Sequence, residues 1–197
     1  MPTGVAMQDP RRQLFNAAER ILVRDGPNAL TSRAVTAQAG CAKGVLHRHF
    51  ADFDAFLADL VLDRVGRLGT CADTLRAAVG TGSVVDHLTD ALIDVFDPVG
   101  VAIVGLVISR DELRTRLRAA GSTGIPVMNE ASAMLANYLT AERDFGRLAP
   151  GADIAVLAPT LLGAGHLLFA DREAGAPERE TVRRTVTAVV AGVLREA

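Results

Sequence analysis

Apolar residues recur every three or four positions along most of this 197-residue chain, and that spacing restricts its fold more than any other feature. Between residues 14 and 22 the apolar positions follow an i, i+3, i+4, i+7, i+8 pattern, which places them on one face of an α-helix. Asp25-Gly26-Pro27 predicts the end of that helix. Equivalent stripes further along predict an all-α protein.

Turn-forming residues divide the chain into about nine helices. Residues 99–108 are nearly all apolar, which suits a buried strand as well as a helix, and their helical neighbours favour the helix. The predicted helices cover residues 11–24, 32–38, 42–50, 53–79, 83–96, 99–119, 128–143, 152–172 and 178–195.

Charge is unevenly distributed along the chain. Residues 1–50 carry seven Lys/Arg against three Asp/Glu, a balance of +4, whereas the remaining residues carry fourteen against twenty, a balance of −6. A polyanion attracts the basic part and repels the acidic part. We therefore expect only the N-terminal fifty residues to approach nucleic acid.

The sequence shows neither a targeting segment nor the motifs of common enzyme classes. Residues 1–10 contain no charged leader followed by a long apolar run, which predicts a cytoplasmic protein. The longest apolar stretch, 154–170, is interrupted and shorter than the roughly 20 residues that a membrane-spanning helix needs. GxSxG, phosphate-loop, dinucleotide and HExxH motifs are missing, so we expect no catalytic residues and no membrane association.

The cysteines and histidines form no pattern typical of a metal or a disulfide. Cys41 and Cys71 belong to no CxxC motif. His47 and His49 lie two positions apart, whereas two metal ligands on one helix face lie four apart. We expect neither metal nor cofactor. Cys41 lies in a predicted turn, where a redox role and a packing role are both open, and the lack of a second thiol nearby in sequence favours packing.

Two short predicted helices separated by a tight turn at Gly40 and Cys41 form the pattern of a helix-turn-helix. The run LTSRAVTAQAGCAKGVLHRHF at residues 30–50, followed by FDAFL at residues 53–57, resembles the DNA-binding domain of the TetR family of repressors. The remaining two thirds of the chain resembles that family in length and predicted helices only.

The resemblance implies a domain organisation and a function. It predicts a DNA-binding domain at residues 8–68, with the helix-turn-helix at 31–50, and a C-terminal ligand-binding and dimerisation domain at 69–197. The implied protein is a homodimer that binds palindromic double-stranded operator DNA and acts as a repressor released by a small-molecule effector. A helical dimer that has lost operator binding and acts through protein partners is the first alternative, and a helical enzyme is the least favoured.

The resemblance also assigns residues to the DNA interface. Residues 42–49 become the recognition helix in the major groove, while the start of the preceding helix meets the phosphate backbone. Lys43 is the only lysine in the chain; a phosphate or base contact is favoured there over a solvated surface charge. The implied DNA-binding residues are Thr31, Ser32, Arg33, Lys43, Gly44, Val45, His47, Arg48 and His49.

Three positions depart from the usual pattern of this family. Ala42 replaces a common capping Ser or Thr, His47 replaces a frequent Tyr, and Phe53 replaces a common Lys that meets phosphate. These departures leave the predicted fold intact. They lower the expected strength of operator binding, because phosphate contacts supply much of the affinity for DNA.

Polar residues on apolar helix faces of the C-terminal part are predicted effector contacts, although each is open to a purely structural role. Effector binding is expected to shift the population of conformers, with the long helix 53–79 connecting the domains. Helices 152–172 and 178–195 are predicted to form a four-helix dimer interface. The predicted effector contacts are His87, Asp94, Asn129, Tyr138 and His166.

Overall fold

The computed structural model describes residues 9–171 and 175–195, which form an all-α fold. A short 3-10 turn, Pro27–Ala29, follows the first helix. The helices of the described residues are α1 (Pro10–Asp25), α2 (Ser32–Gln38), α3 (Gly44–His49), α4 (Phe53–Ala78), α5 (Val84–Val95), α6 (Pro98–Ser109), α7 (Asp111–Ala119), α8 (Pro126–Asp144), α9 (Ile154–Phe169) and α10 (Arg179–Val190).

Side-chain caps explain where many of these helices begin. The carboxylate of Asp9 accepts a hydrogen bond from the Arg12 amide at 3.0 Å, and that of Asp52 accepts one from the Ala55 amide at 2.7 Å. Asp153 caps α9 in the same way, so this helix starts at 154 rather than at the predicted 152. Such caps satisfy amides that have no partner inside the helix.

The predicted helix 99–119 is wrong in one respect, because the chain breaks it into α6 and α7 at Arg110. This residue adopts an extended backbone, with φ −128° and ψ 108°. The Arg114 guanidinium donates to the carbonyl oxygens of Val107, at 2.9 Å, and of Ile108. A side chain thus satisfies carbonyls at the end of α6 that a continuing helix would have bonded.

The predicted last helix, 178–195, is also too long. Helix α10 ends at Val190, and the chain then pairs with the segment between α8 and α9. The Ala149 amide donates to the Val193 carbonyl at 2.8 Å, and the Arg195 amide donates to the Arg147 carbonyl at 3.0 Å. Backbone pairing with a segment remote in sequence therefore replaces the final helical turn.

Helix α4 joins the N-terminal and C-terminal parts. Its 26 residues span roughly 39 Å at 1.5 Å per residue. Helix α3 packs on it, and α1 contacts it through the Arg11–Asp59 ion pair at 2.8 Å and the rings of Phe15 and Phe56, whereas α8 packs beside its later part. Helix α6 also touches α1, so the two parts of the chain meet through a second contact besides α4.

Among the described residues no single helix is both long and apolar enough to cross a membrane. Helices α5 and α6 meet that test only when taken together, across a bend of 59°.

Candidate nucleic-acid interface and effector cavity

The first helix of the helix-turn-helix begins at a capping hydroxyl. Thr31 Oγ1 accepts a hydrogen bond from the Ala34 amide at 3.1 Å, and the Thr31 side chain is exposed. A threonine hydroxyl that accepts one bond still has its proton to donate. Thr31 can therefore cap α2 and donate to a phosphate oxygen at the same time.

The turn between α2 and α3 depends on a glycine. Gly40 has φ +66°, a conformation that side chains disfavour. It allows the Cys41 amide to donate to the Thr36 carbonyl at 3.0 Å. Burial raises the pKa of the Cys41 thiol, which disfavours the reactive thiolate and supports a packing role for Cys41.

Helix α3 starts at Gly44, two residues later than predicted. No side chain caps it: Lys43 occupies the N-cap position, and the Val45 amide bonds to the Ala42 carbonyl at 2.9 Å instead. Ala42 has no hydroxyl to accept that amide. The position at which the family commonly has a capping hydroxyl therefore supplies none to α3 in this chain.

Aromatic packing holds α3 against the rest of the N-terminal part. Leu46 is fully buried, and the Phe50 ring lies 5.0 Å from the Phe56 ring and 5.9 Å from the Phe15 ring, measured between centroids. The Arg11 guanidinium lies 4.6 Å above the Phe50 ring and donates to the His49 carbonyl at 3.4 Å. These contacts set the position from which the side chains of α3 project.

Most of the predicted DNA-binding residues are accessible. Ser32 and Val45 are half-buried, and the Ser32 hydroxyl oxygen is itself buried without a hydrogen-bond partner among the described residues. The seven that are exposed are Thr31, Arg33, Lys43, Gly44, His47, Arg48 and His49. Five of these carry nitrogen donors in their side chains, as a surface that meets phosphates and base edges requires.

The predicted effector residues do not meet at one place. His87 Nδ1 lies 2.9 Å from the Tyr138 hydroxyl. Asp94 is exposed, and the exposed Asn129 donates to the Thr123 carbonyl at 2.5 Å. His166 is half-buried, and its ring centroid lies 5.7 Å from that of Phe96. Of the five, the structure brings together only His87 and Tyr138.

A cavity of about 210 Å³ lies between α4 and α8. Five of its lining residues are apolar, and Tyr138 is the predicted effector residue that reaches it. The sequence analysis did not single out the other members, since their spacing resembles that of any helix packed on a neighbour. The lining residues are Ala72, Leu75, Arg76, Val79, Met134, Asn137, Tyr138 and Ala141.

A buried carboxylate lies beside the cavity. Glu142 is fully buried; one of its oxygens lies 3.5 Å from Arg147 and 3.3 Å from the Gly80 amide. Burial and a hydrogen bond to Glu142 raise the pKa of Tyr138. Sequence reasoning missed this group, because a Glu followed by Arg near a helix end is typical of a solvated surface.

These features together describe a helix-turn-helix in the N-terminal part and a larger all-helical C-terminal part. Residues 14–60 match the family described as "Bacterial regulatory proteins, tetR family". This match covers the helix-turn-helix and the start of α4, and the overall fold is similar to that of solved TetR-family regulators. No curated protein sequence matches this chain.

Solved structures of TetR-type regulators share this fold at low sequence identity. The fatty acid degradation regulator FadR from Bacillus halodurans is 14% identical, with 95% of this chain and 98% of that chain covered and a TM-score of 0.71. FadR from Bacillus subtilis in complex with stearoyl-CoA is 16% identical, with 92% of this chain and 98% of that chain covered and a TM-score of 0.69. A TetR-family member from Streptomyces coelicolor A3 is 18% identical, with 92% of this chain and 98% of that chain covered and a TM-score of 0.66.

Proposed function

We propose that this protein is a dimeric repressor whose affinity for a palindromic operator falls when a small amphipathic molecule binds between α4 and α8. The observation that carries the proposal is the exposed, donor-rich surface of α3. The helix is followed by Phe50, whose ring packs against those of Phe15 and Phe56. Donors on a rigid helix are what reading of the major groove requires.

The DNA-binding domain in this proposal is residues 8–68, and the sensor and dimerisation domain is residues 69–197. Helix α4 crosses the boundary without a break, which suits a helix that transmits the state of one domain to the other. We propose that the protein acts in the cytoplasm, because a repressor binds its operator there. The structural neighbours named above are regulators, and we propose no catalytic activity.

The effector is proposed to be small, because the cavity is small. At about 210 Å³ it lies below the 300–1,000 Å³ typical of sites for drug-sized ligands. Stearoyl-CoA, present in the Bacillus subtilis FadR structure, is far larger than this space. Mostly apolar walls with Tyr138 and Asn137 as polar groups favour a compact molecule with one or two hydrogen-bonding groups.

The dimer interface is proposed to lie on α9 and α10. Leu167 is 77% exposed and Val156 57% exposed on α9. Between them lies Gly163, where an added Cβ would meet no atom within 4 Å. An apolar face with a small residue at its centre allows a partner helix to approach closely, and closure with a second copy gives the symmetric dimer that a palindrome requires.

The test is a titration of the purified protein against its own upstream intergenic DNA at two salt concentrations, with random DNA as competitor. We expect tight, competitor-resistant binding that weakens as salt rises. Binding to the intergenic DNA no stronger than to random DNA, repeated across a randomised operator library, would contradict the proposal and favour a dimer that acts through protein partners.

A further inference from the structure

Two arginines contact the residues that flank the helix-turn-helix: Arg110 in the break between α6 and α7, and Arg116 on α7. Arg110, in the break itself, donates through Nη2 to the Leu30 carbonyl at 2.9 Å and to the Pro27 carbonyl at 3.4 Å. Arg116, on α7, donates to the Asp52 carboxylate at 2.7 Å. Leu30 immediately precedes the helix-turn-helix at 31–50, and Asp52 lies two residues after it.

The Leu30 contact acts on the start of α2. Leu30 is fully buried, and its carbonyl precedes Thr31, the N-cap of α2. A guanidinium donating to a carbonyl is a charge-assisted bond, stronger than a neutral one. Arg110 therefore restrains the backbone at the point where α2 begins.

The Asp52 contact acts on the start of α4. Asp52 caps α4 through the Ala55 amide; that bond and Arg116 lower the pKa of the Asp52 carboxyl. Both partners of this ion pair are about half exposed at their side chains, so it is the weaker of the two contacts.

Phe53 connects these contacts with a departure from the family pattern. The Arg110 guanidinium lies 5.9 Å from the Phe53 ring centroid, and the Phe53 ring stacks on Phe56 at 5.6 Å. A lysine at position 53 would bring a second cation towards Arg110. Phe53, which stands where the family commonly has a lysine that meets phosphate, thus packs beside the Arg110 guanidinium.

We propose that Arg110, supported by Arg116, is a positioning residue for operator recognition. It acts from the C-terminal part of the chain on the orientation of the helix-turn-helix, without touching DNA. Its guanidinium donates to the carbonyl oxygens of Leu30 and Pro27. The loss of Arg110 is therefore expected to change how well α2 and α3 are held, and not the number of phosphates that the protein neutralises.

The experiment compares Arg110→Ala, Arg116→Ala and Arg110→Lys with the wild type, with Arg118→Ala as the matched control. Arg118 is exposed on the same α7 helix, where its side chain bonds to Thr115. Operator affinity is measured at several salt concentrations, and amide hydrogen exchange of residues 31–50 is measured without DNA. Thermal unfolding of each variant checks that it is folded.

For Arg110→Ala we expect about tenfold weaker operator binding, an unchanged slope of log affinity against log salt, and faster exchange in residues 31–50. Arg116→Ala is expected to show a smaller loss, Arg110→Lys an intermediate one, and Arg118→Ala no change. A salt slope lowered by about one would show a direct phosphate contact and overturn the proposal. Unchanged exchange in folded Arg110→Ala would overturn it as well.

This inference rests on the proposed repressor function only for the affinity readout. If the wild type bound no operator, the repressor proposal would fail while the exchange measurement still decided the role of Arg110.

A double-mutant cycle between Arg110→Ala and Phe53→Ala is expected to show coupling in the exchange rates of residues 31–50.

Discussion

Lys43 stands at the N-cap of α3, exposed and followed by the other donors of that helix. In the proposed complex with operator DNA, an ammonium that contacts a phosphate acts as a point charge and releases counterions on binding. A contact of that kind is recognisable in solution by its salt dependence, which separates it from contacts to base edges.

We expect Lys43→Ala to weaken binding to operator and to unrelated DNA alike, and to lower the slope of log affinity against log salt by about one. Fluorescence anisotropy at four salt concentrations measures both. Arg118→Ala serves as the control, since it removes one exposed positive charge from α7. An unchanged slope in Lys43→Ala would show that the ammonium remains in solvent.

Glu142 is the most deeply buried acid of the described residues, and its environment pairs it with Arg147 and the Gly80 amide. We expect Glu142→Ala to lower the free energy of unfolding by about 3 kcal/mol, because it removes a buried carboxylate that pairs with Arg147 and accepts from the Gly80 amide. Glu142→Gln, which keeps one acceptor, should lose less. Urea unfolding measures both, with the exposed Glu130→Ala on α8 as control. Equal stability of Glu130→Ala and Glu142→Ala would contradict this expectation.

Cys71 supplies a pH-dependent prediction. Burial, with a smaller contribution from Asp94, raises the pKa of this thiol from 9.0 to about 11. A raised pKa in the folded state means that the stability from the neutral thiol is complete below pH 9 and is lost as pH rises towards 11. We expect the wild type to lose more stability between pH 8 and pH 10 than Cys71→Ala. Equal losses in thermal unfolding at the two pH values would contradict this.

At the scale of elements, the weakest part of the DNA-binding region is the start of α3. This helix has six residues and no side-chain cap, whereas α2 begins at the Thr31 hydroxyl. Isolated helices this short are unstable. Packing of Leu46 and Phe50 therefore supplies most of what keeps α3 folded.

We expect Ala42→Ser to stabilise α3 by about 0.5–1 kcal/mol, because its hydroxyl could accept the Val45 amide. Operator affinity should rise severalfold, since less ordering remains to be done on binding. Thermal unfolding and operator titration measure the two effects, and Ala42→Gly separates a capping effect from a change in backbone freedom. Lower stability of Ala42→Ser would show that the turn before α3 cannot accommodate a cap.

At the scale of the whole molecule, α9 exposes the apolar side chains of Val156 and Leu167, which no contact among the described residues of one chain buries. We expect Gly163→Ile to keep the monomer folded, since a Cβ there meets no atom within 4 Å, and to prevent close approach of a partner helix. Sedimentation should show monomers, and operator affinity should fall by at least tenfold.

Ile108→Glu is the matched control for dimerisation. Ile108 is 53% exposed at the end of α6 and is not part of α9 or α10, and the variant is expected to remain dimeric. Dimeric Gly163→Ile would place the dimer interface elsewhere, and monomeric wild-type protein at micromolar concentration would contradict the proposed dimer altogether.

Much of the fold and part of the candidate site were predictable from local signals. Helical periodicity and the turn at Gly40 identified an all-α chain with a helix-turn-helix, because such signals act within a few residues. The donors of α3 were assigned by the resemblance to the TetR family and not by these local signals. The buried Glu142 was not predicted, since burial depends on what packs against a helix.

The class of fold, the place of the helix-turn-helix and the basic character of the N-terminal part were thus predictable from the amino-acid sequence, because periodicity, turn residues and charge are local properties. The break at Arg110, the backbone pairing of residues 193–195 with residues 147–149, and the choice of predicted effector residues that reach a cavity became clear only in the folded chain. Each of these depends on side chains or backbone groups brought together from distant positions, and the free energy of such contacts cannot be assigned before the chain has folded.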